Sequence, residues 1–316
     1  MATTARAVLI QLTLDDGRIA QGESVPVEYV TGETVDTVLA VAERVAPALI
    51  GLDASHYRPL WDAIGCLAPH APSARCGLEM AALDAWSQGT GISLHQLLGG
   101  ALNSVESDLT LPLVPNAAEL AAQAWARGIS VFKIKVGGEV AAEVARVHSI
   151  RAAAPEARLR IDANQAFTPE GALAFVERLL ADNVRIELLE QPVRAEDFAG
   201  LGWVAERSPV PVFADESART PADALRLTCE TPVQGINCKI NKNGIAGVLD
   251  IVAITKAAGR RRMLGCMLET RRSISVSLEI ACGTGAFEFV DLDSHLLLNE
   301  TGDHPFFQQE GSRLIL

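Results

Sequence analysis

Short apolar runs alternate with amphipathic helical stretches over the last two-thirds of the chain. The clearest is VFKIKVGGEV at 131–140, where Val131, Phe132 and Ile134 interleave with Lys133 and Lys135. Alternation of this kind has the period of a strand, and both lysines fall on one face of it. Gly137 and Gly138 follow, and a helical run occupies 139–153. The lysines are therefore expected at the C-terminal end of a strand, at the mouth of a βα loop. Similar runs at 109–114, 159–164, 185–192, 210–217, 235–240, 262–267 and 287–293 predict seven further strands. Helical stretches over 117–127, 169–182, 195–207, 244–258 and 273–282 separate them. Asn116 stands where it would cap the first of these, and Thr168–Pro169 and Thr220–Pro221 are cap-and-proline pairs.

The front of the chain follows another pattern. Residues 7–14 and 18–22 read as a hairpin around Asp15–Asp16–Gly17, and 23–32 as a loop. Thr34 is placed to cap a helix that ends at Gly51, and 53–64 and 73–88 predict two more. The last, SARCGLEMAALDAWSQ, is rich in small residues and is expected to pack closely on a neighbour. A glycine-rich connector spans 89–104. The resulting expectation is an α+β capping domain over 1–105, completed by the tail 294–316, and a (β/α)7β-type TIM barrel over 106–293. Eight parallel strands closed in this way bring their C-terminal ends to one site; an open doubly wound sheet, the alternative, would not.

Composition narrows the function classes. The 316 residues are 49% hydrophobic and 21% charged, as in globular proteins. A net charge of −12 argues against nucleic acid or an anionic membrane as partner. No run of eighteen apolar residues and no signal-peptide pattern occurs. Cysteines at 66, 76, 229, 238, 266 and 282 form no C-x-x-C pair, and read as free thiols of a cytoplasmic protein.

Polar residues close the predicted strands at nearly even intervals. From Lys135 to Asp162 is 27 residues, to Glu190 another 28, to Asp215 another 25 and to Lys239 another 24; Asp291 follows 52 later, two periods on. About 25 residues is one βα unit. Asp162, Glu190 and Asp215 would converge, and three unpaired buried carboxylates repel. A hard divalent cation such as Mg²⁺ resolves that, one ion per subunit. Lys135 and Lys239 would face each other across it, placed for proton removal and return on opposite faces of an α-carbon, with Lys133 and the cation holding the negative charge that develops.

The strings KIK (133–135), DAN (162–164), LLEQP (188–192), ADES (214–217) and NCKINKNG (237–244) together resemble the enolase superfamily, in its muconate-lactonizing subgroup. The resemblance covers nearly the whole chain. It implies that Lys135 and Lys239 are the acid/base pair, that Asp162, Glu190 and Asp215 bind Mg²⁺, and that Glu216 hydrogen-bonds near Lys239. Lys242 matches a helix-start position and is not the catalytic lysine. CMLET (266–270) and VDLDSHLLL (290–298) resemble the dipeptide epimerases, which implies that Asp291 and Asp293 bind a substrate ammonium. Both aspartates would lie on one strand face. Thr110 in SDLT, and Met267, match substrate-contacting positions. The expected partner is a dipeptide, and a homo-oligomer is expected. An N-acylamino acid racemase or o-succinylbenzoate synthase with the same metal and lysines is the second reading, and a catalytically silent barrel the third. Side-chain preference would be set by 23–32 and 267–272, where Arg271 and Arg272 would favour an acidic group or be solvated. Three features depart from the family. It usually has a strand before the point where this chain starts and a glycine-rich segment beyond 313–316, and Asn243–Gly244 stands where a double glycine is common.

Overall fold

The computed structural model describes residues 5–299 and 306–316. Residues 1–4 and 300–305, parts of the expected capping section and tail, lie outside the described residues. Strands β1 (Val8–Thr13) and β2 (Ile19–Ser24) pair antiparallel around the predicted turn. Helices α1 (Glu28–Thr31), α2 (Val35–Leu49), α3 (Tyr57–Leu67), α4 (Pro72–Thr90) and α5 (Leu94–Leu97) follow, then the short strand β3 (Ser104–Glu106). Thr34 caps α2 as expected, with Thr37 returning the bond. The small-residue helix α4 packs directly on β2: a Cβ built at Gly22 would stand 2.0 Å from the Gly77 carbonyl oxygen, and one at Gly77 2.3 Å from Ser24 Oγ. Only glycine permits so close an approach.

The barrel runs β4 (Leu109–Leu111), α6 (Ala117–Ala126), β5 (Val131–Lys135), α7 (Val140–Ala153), β6 (Arg158–Asp162), α8 (Pro169–Ala181), β7 (Leu189–Glu190), α9 (Phe198–Arg207), β8 (Val212–Ala214), α10 (Pro221–Glu230), β9 (Gly235–Lys239), α11 (Ile240–Asn243), α12 (Ile245–Ala257), β10 (Arg261–Gly265), α13 (Arg271–Thr284) and β11 (Phe289–Asp291). The eight strands β4 to β11 form one parallel sheet in sequence order. Among the described residues a single backbone bond, Asp108 N–H to the Val290 carbonyl at 3.2 Å, crosses the seam where β11 returns to β4. Thr168 and Thr220 cap α8 and α10 with proline at the first helical position. Asn116 precedes α6 but makes no capping bond. The strand expected over 185–192 shrinks to two residues, although Glu187 N–H still bonds the Leu159 carbonyl at 2.7 Å. Strand α/β alternation over-reads its length because the flanking backbone bends into the loops.

After a 3₁₀ turn at Ser294–Leu296, β12 (Gln308–Glu310) and β13 (Arg313–Ile315) form a hairpin, and β13 pairs antiparallel with β3. Cap and barrel are tied by carboxylates set at helix starts, where backbone N–H groups lack intrahelical partners. Glu79 of α4 accepts from Ala246 N–H of α12 at 3.1 Å, and Glu23 of β2 accepts from the N–H and hydroxyl of Thr270, the cap of α13. No helix among the described residues is long and apolar enough to cross a membrane.

Candidate active site

Inside the barrel the side chains are layered. Leu188, Phe213 and Met263 form an apolar floor, with Phe289 packed against it. Above them Lys133, 2% exposed, reaches across the interior: its Nζ lies 3.2 Å from Asp162 Oδ2, 2.9 Å from Glu190 Oε2 and 2.8 Å from Asp291 Oδ2. Lys135 Nζ stands on one side of the mouth, 3.1 Å from Asp162 Oδ2 and 2.7 Å from Asn164 Oδ1. Lys239 Nζ stands on the other, 2.7 Å from Asp215 Oδ2. The alternation read at 131–135 is thus real: both lysines of β5 point into the barrel, four strand steps from Lys239 on β9.

The backbone that aims the carboxylates is bent. Asn164, Gln165 and Gln191 adopt φ of 39°, 70° and 34°, left-handed values that side chains other than glycine rarely take. Gln191 is locked there by four bonds. Its amide donates to the Val193 carbonyl and Ser217 Oγ, and its Oε1 accepts from the N–H groups of Asp215 and Ser217 at 2.9 and 3.1 Å. The loop ends that carry Glu190 and Asp215 are therefore clamped together.

Charge in the mouth is unbalanced. Six carboxylates (Asp162, Glu190, Asp215, Glu216, Asp291, Asp293) face four lysines (133, 135, 239, 242), an excess of two negative charges if all ionise. The imbalance shows in their protonation. Burial would raise Asp162 and Asp215, but the adjacent ammoniums hold both well below the usual carboxylate range. Burial pushes Glu190 up to about 8 and Asp293 up to about 6, the neighbouring carboxylates adding to it. Burial opposes the charged forms of Lys135 and Lys239, yet Asp162 and Asp215 override it and hold both above the ordinary lysine value. Glu190 Oε2 and Asn237 Oδ1, both fully buried, accept no hydrogen bond, although Lys133 lies within ion-pair distance of the former. Orphaned oxygens beside acidic groups suit a hard cation, and Asp162, Glu190 and Asp215 are the residues that could hold one. Asp108, Asp291 and Asp293 converge more tightly, within 4.8 Å. There Arg160, Lys133 and Thr110 bond carboxylate oxygens of Asp108 and Asp291, as Lys133, Lys135, Lys239 and Lys242 bond those of Asp162, Glu190 and Asp215.

Comparison with known proteins shows the family. Residues 1–99 match the mandelate racemase / muconate lactonizing enzyme N-terminal domain, and residues 116–314 the enolase C-terminal domain-like family. The chain belongs to the mandelate racemase/muconate lactonizing enzyme family. It is 37% identical over 316 residues to the L-Ala-D/L-Glu epimerase of Thermotoga maritima, covering 99% of this chain and 91% of that protein. It is 39% identical to the aromatic dipeptide epimerase of Herpetosiphon aurantiacus, covering 99% and 88%. The crystal structure of a dipeptide epimerase from Enterococcus faecalis, complexed with Mg and the dipeptide L-Leu-L-Tyr, superposes with a TM-score of 0.93 at 34% identity, covering 99% of this chain and 89% of that one.

Within this family member the residues singled out from the sequence fall into two groups. Lys133, Lys135, Lys239, Asp162, Glu190, Asp215, Asp291 and Asp293 meet at the mouth. Thr110 joins them, its N–H donating to Asp293 Oδ2 at 2.5 Å and its hydroxyl to Asp291 Oδ1 at 3.4 Å. The reason given for the aspartate pair needs correction: β11 ends at Asp291, and Asp293 has helical backbone angles, so a turn and Thr110 bring the two together, not strand alternation. Glu216 accepts from Asn164 Nδ2 at 3.1 Å, whereas Lys239 bonds Asp215. Met267 N–H turns to Glu269 at 2.9 Å, and it is the neighbouring Cys266 whose thiol lies 3.8 Å from Asp293. Arg271 stacks on Phe307 and bonds its carbonyl, and Arg272 lies over Phe306.

Four further residues shape the site, three of them inside the string NCKINKNG, which says nothing of their contacts. Lys242, 1% exposed, bonds Asp215 Oδ1 at 2.5 Å and the carbonyls of Asp215 and Asn237, fixing Asp215 from below. Asn237 donates to Glu190 Oε1 at 2.8 Å. Asn243 accepts from Lys239 N–H at 3.0 Å and donates to the Ala218 and Arg219 carbonyls, an arrangement the usual glycine could not make. A Cβ at Gly265 would come within 3.0 Å of Lys239 Cε, so this glycine leaves room for the lysine. The IDAN string marks Asn164 and NCKINKNG the other three side chains; nothing local marks their contacts or the glycine.

Proposed function

We propose that the protein is a Mg²⁺-dependent dipeptide epimerase that inverts the α-carbon of the C-terminal residue by 1,1-proton transfer between Lys135 and Lys239. The observation that carries the reading is the pair of lysines set on opposite sides of a buried carboxylate triad, with a separate aspartate pair at the barrel seam. Asp162, Glu190 and Asp215 would hold Mg²⁺, which when bound supplies Lewis-acid stabilisation of the charge that develops on the substrate carboxylate. Lys133 adds a fixed positive charge beside that position. Lys135 and Lys239 take and return the α-proton on opposite faces, which is what inversion requires. Asp291 and Asp293, held by Thr110, receive the free ammonium at the other end of the substrate.

Charge balance favours a free dipeptide over its nearest rival. With all six carboxylates ionised the mouth would carry two excess negative charges, and Mg²⁺ with a zwitterionic dipeptide would cancel them. An N-acylated amino acid brings one negative charge and no ammonium, so an uncompensated buried charge would remain. Names of relatives support the same reading. The direct test is a screen of free dipeptides against N-acylated single amino acids, with and without EDTA. Epimerisation of free dipeptides alone is expected; preferential turnover of N-acylated amino acids would transfer the assignment to the racemase reading.

Replacing Asp293 by asparagine removes one acceptor from a charge-assisted bond worth about 1.5–3 kcal/mol. kcat/KM for a free dipeptide should fall about ten- to a hundredfold, with Mg²⁺ affinity unmoved. An equal loss for N-acylated substrates would contradict the ammonium role.

Glu190 gives a pH dependence. Without a cation burial keeps it protonated at neutral pH, since it titrates at about 8, and a ligand must be ionised. Mg²⁺ affinity should therefore rise with pH up to about 8 and level off above it, with proton release on binding at pH 7. Calorimetry in buffers of different ionisation enthalpy measures that release; binding independent of pH would contradict it.

A further inference from the structure

The seam between β4 and β11 is the line along which the barrel is least stitched, and the proposed ammonium pocket stands at its upper end. Among the described residues, only Asp108 N–H to Val290 crosses it in the backbone. The position of β11 is set instead by side chains of the β4 segment: Ser107 Oγ accepts from Leu292 N–H at 2.8 Å, and Thr110 bonds both aspartates. Below them lies Asp108, 3% exposed, which no sequence pattern marked and which the proton transfer does not use.

Asp108 is caught between unlike partners. Its Oδ2 accepts from Arg160 Nη1 of β6 at 2.7 Å, while Oδ1 is buried without a donor. Its carboxyl group is clustered with that of Asp291, oxygens of the two lying within 4.8 Å and both groups buried. Two buried carboxylates this close repel, and a proton held between them removes the repulsion. Asp291 is the acceptor, because Lys133 of β5 stands 2.8 Å from its Oδ2. Asp293 completes the cluster from the turn after β11, all three carboxylates lying within 4.8 Å.

We propose that Asp108 and Asp291 share one proton, and that Asp108 is thereby a positioning residue that aims Asp291 at the substrate ammonium. The positioning role rests on the dipeptide reading above; the shared proton does not. Asn at 108 is the isostere of the protonated acid: its amide donates to Asp291 and its carbonyl accepts from Arg160. Alanine supplies neither bond.

Infrared difference spectroscopy of the Mg²⁺-loaded protein at neutral pH, wild type against Asp108→Asn, should show the carbonyl stretch of a protonated carboxyl group in wild type only, shifted in D₂O. Asp108→Ala should raise KM for a free dipeptide about tenfold, with a smaller change in kcat, whereas Asp108→Asn should keep KM within about threefold of wild type. No carboxyl band in the difference spectrum overturns the shared proton. Wild-type KM in Asp108→Ala, or equal damage in both variants, overturns the positioning role. If wild type turns over no free dipeptide, the ammonium pocket and the positioning role fall together, and the spectrum alone decides whether the proton is shared.

Discussion

Lys239→Ala and Lys135→Ala are each expected to lower epimerisation by about three orders of magnitude or more, while failing in opposite ways. General acid–base groups contribute about 10²–10⁴-fold, and inversion needs both. In Lys239→Ala the remaining Lys135 can still remove the α-proton on its own face and return it there. That variant should exchange the α-hydrogen of one epimer with D₂O without inverting it, and Lys135→Ala should exchange the other. The geometry carries the asymmetry, since the two ammoniums are held apart by different carboxylates, Asp162 and Asp215. Those carboxylates also hold both lysines protonated. With a cation held by those carboxylates the lysines would lack the counter-charges that keep them so, and either could act as a base. Proton NMR of each epimer in D₂O separates the outcomes. Equal exchange of both epimers by one variant would defeat the two-face arrangement.

The second large effect is expected at the carboxylates. Glu190→Gln should weaken Mg²⁺ binding and lower turnover by roughly two or more orders of magnitude, because stabilising charge on a substrate carboxylate is worth several kcal/mol. The fold should survive: Glu190 is buried, and Asn237 Nδ2 can still donate to the amide oxygen. Asp215→Asn is a different experiment. It removes the counter-charge of both Lys239 and Lys242, each largely buried, and breaking a buried pair costs about 3–5 kcal/mol. Thermal unfolding with metal titration distinguishes the two variants. Full activity of wild type in EDTA would contradict the metal assignment for both.

Much of this site was legible because the barrel places functional side chains at or just beyond the ends of five successive strands, β5 to β9. A period of about 25 residues therefore projects onto a ring, and Lys135, Asp162, Glu190, Asp215 and Lys239 could be read by counting. What stayed hidden depends on contacts distant in sequence. Lys242 reads as a helix start, yet the single turn of α11 returns its Nζ to Asp215. Arg271 and Arg272 read as candidates for an acidic substrate, but they stack on Phe307 and Phe306, more than thirty residues later. Asp108 has no local pattern because its environment exists only where the first barrel strand meets the last. Strand lengths were over-read for a related reason: apolar periodicity reports burial, and buried loop ends such as Leu188 and Ile186 are as apolar as the ladder beside them.

Incubation of the wild-type protein with Mg²⁺ and an L,L-dipeptide in D₂O, followed by NMR at the α-position of the C-terminal residue, bears on substrate and chemistry together. Deuterium should enter that position alone and appear in both the L,L- and L,D-products, and EDTA should stop it. An N-acylated amino acid of the same side chain should exchange far more slowly. Exchange at the N-terminal residue, exchange undiminished by EDTA, or faster exchange of the N-acylated compound would contradict a metal-dependent dipeptide epimerase with its ammonium held at Asp291 and Asp293.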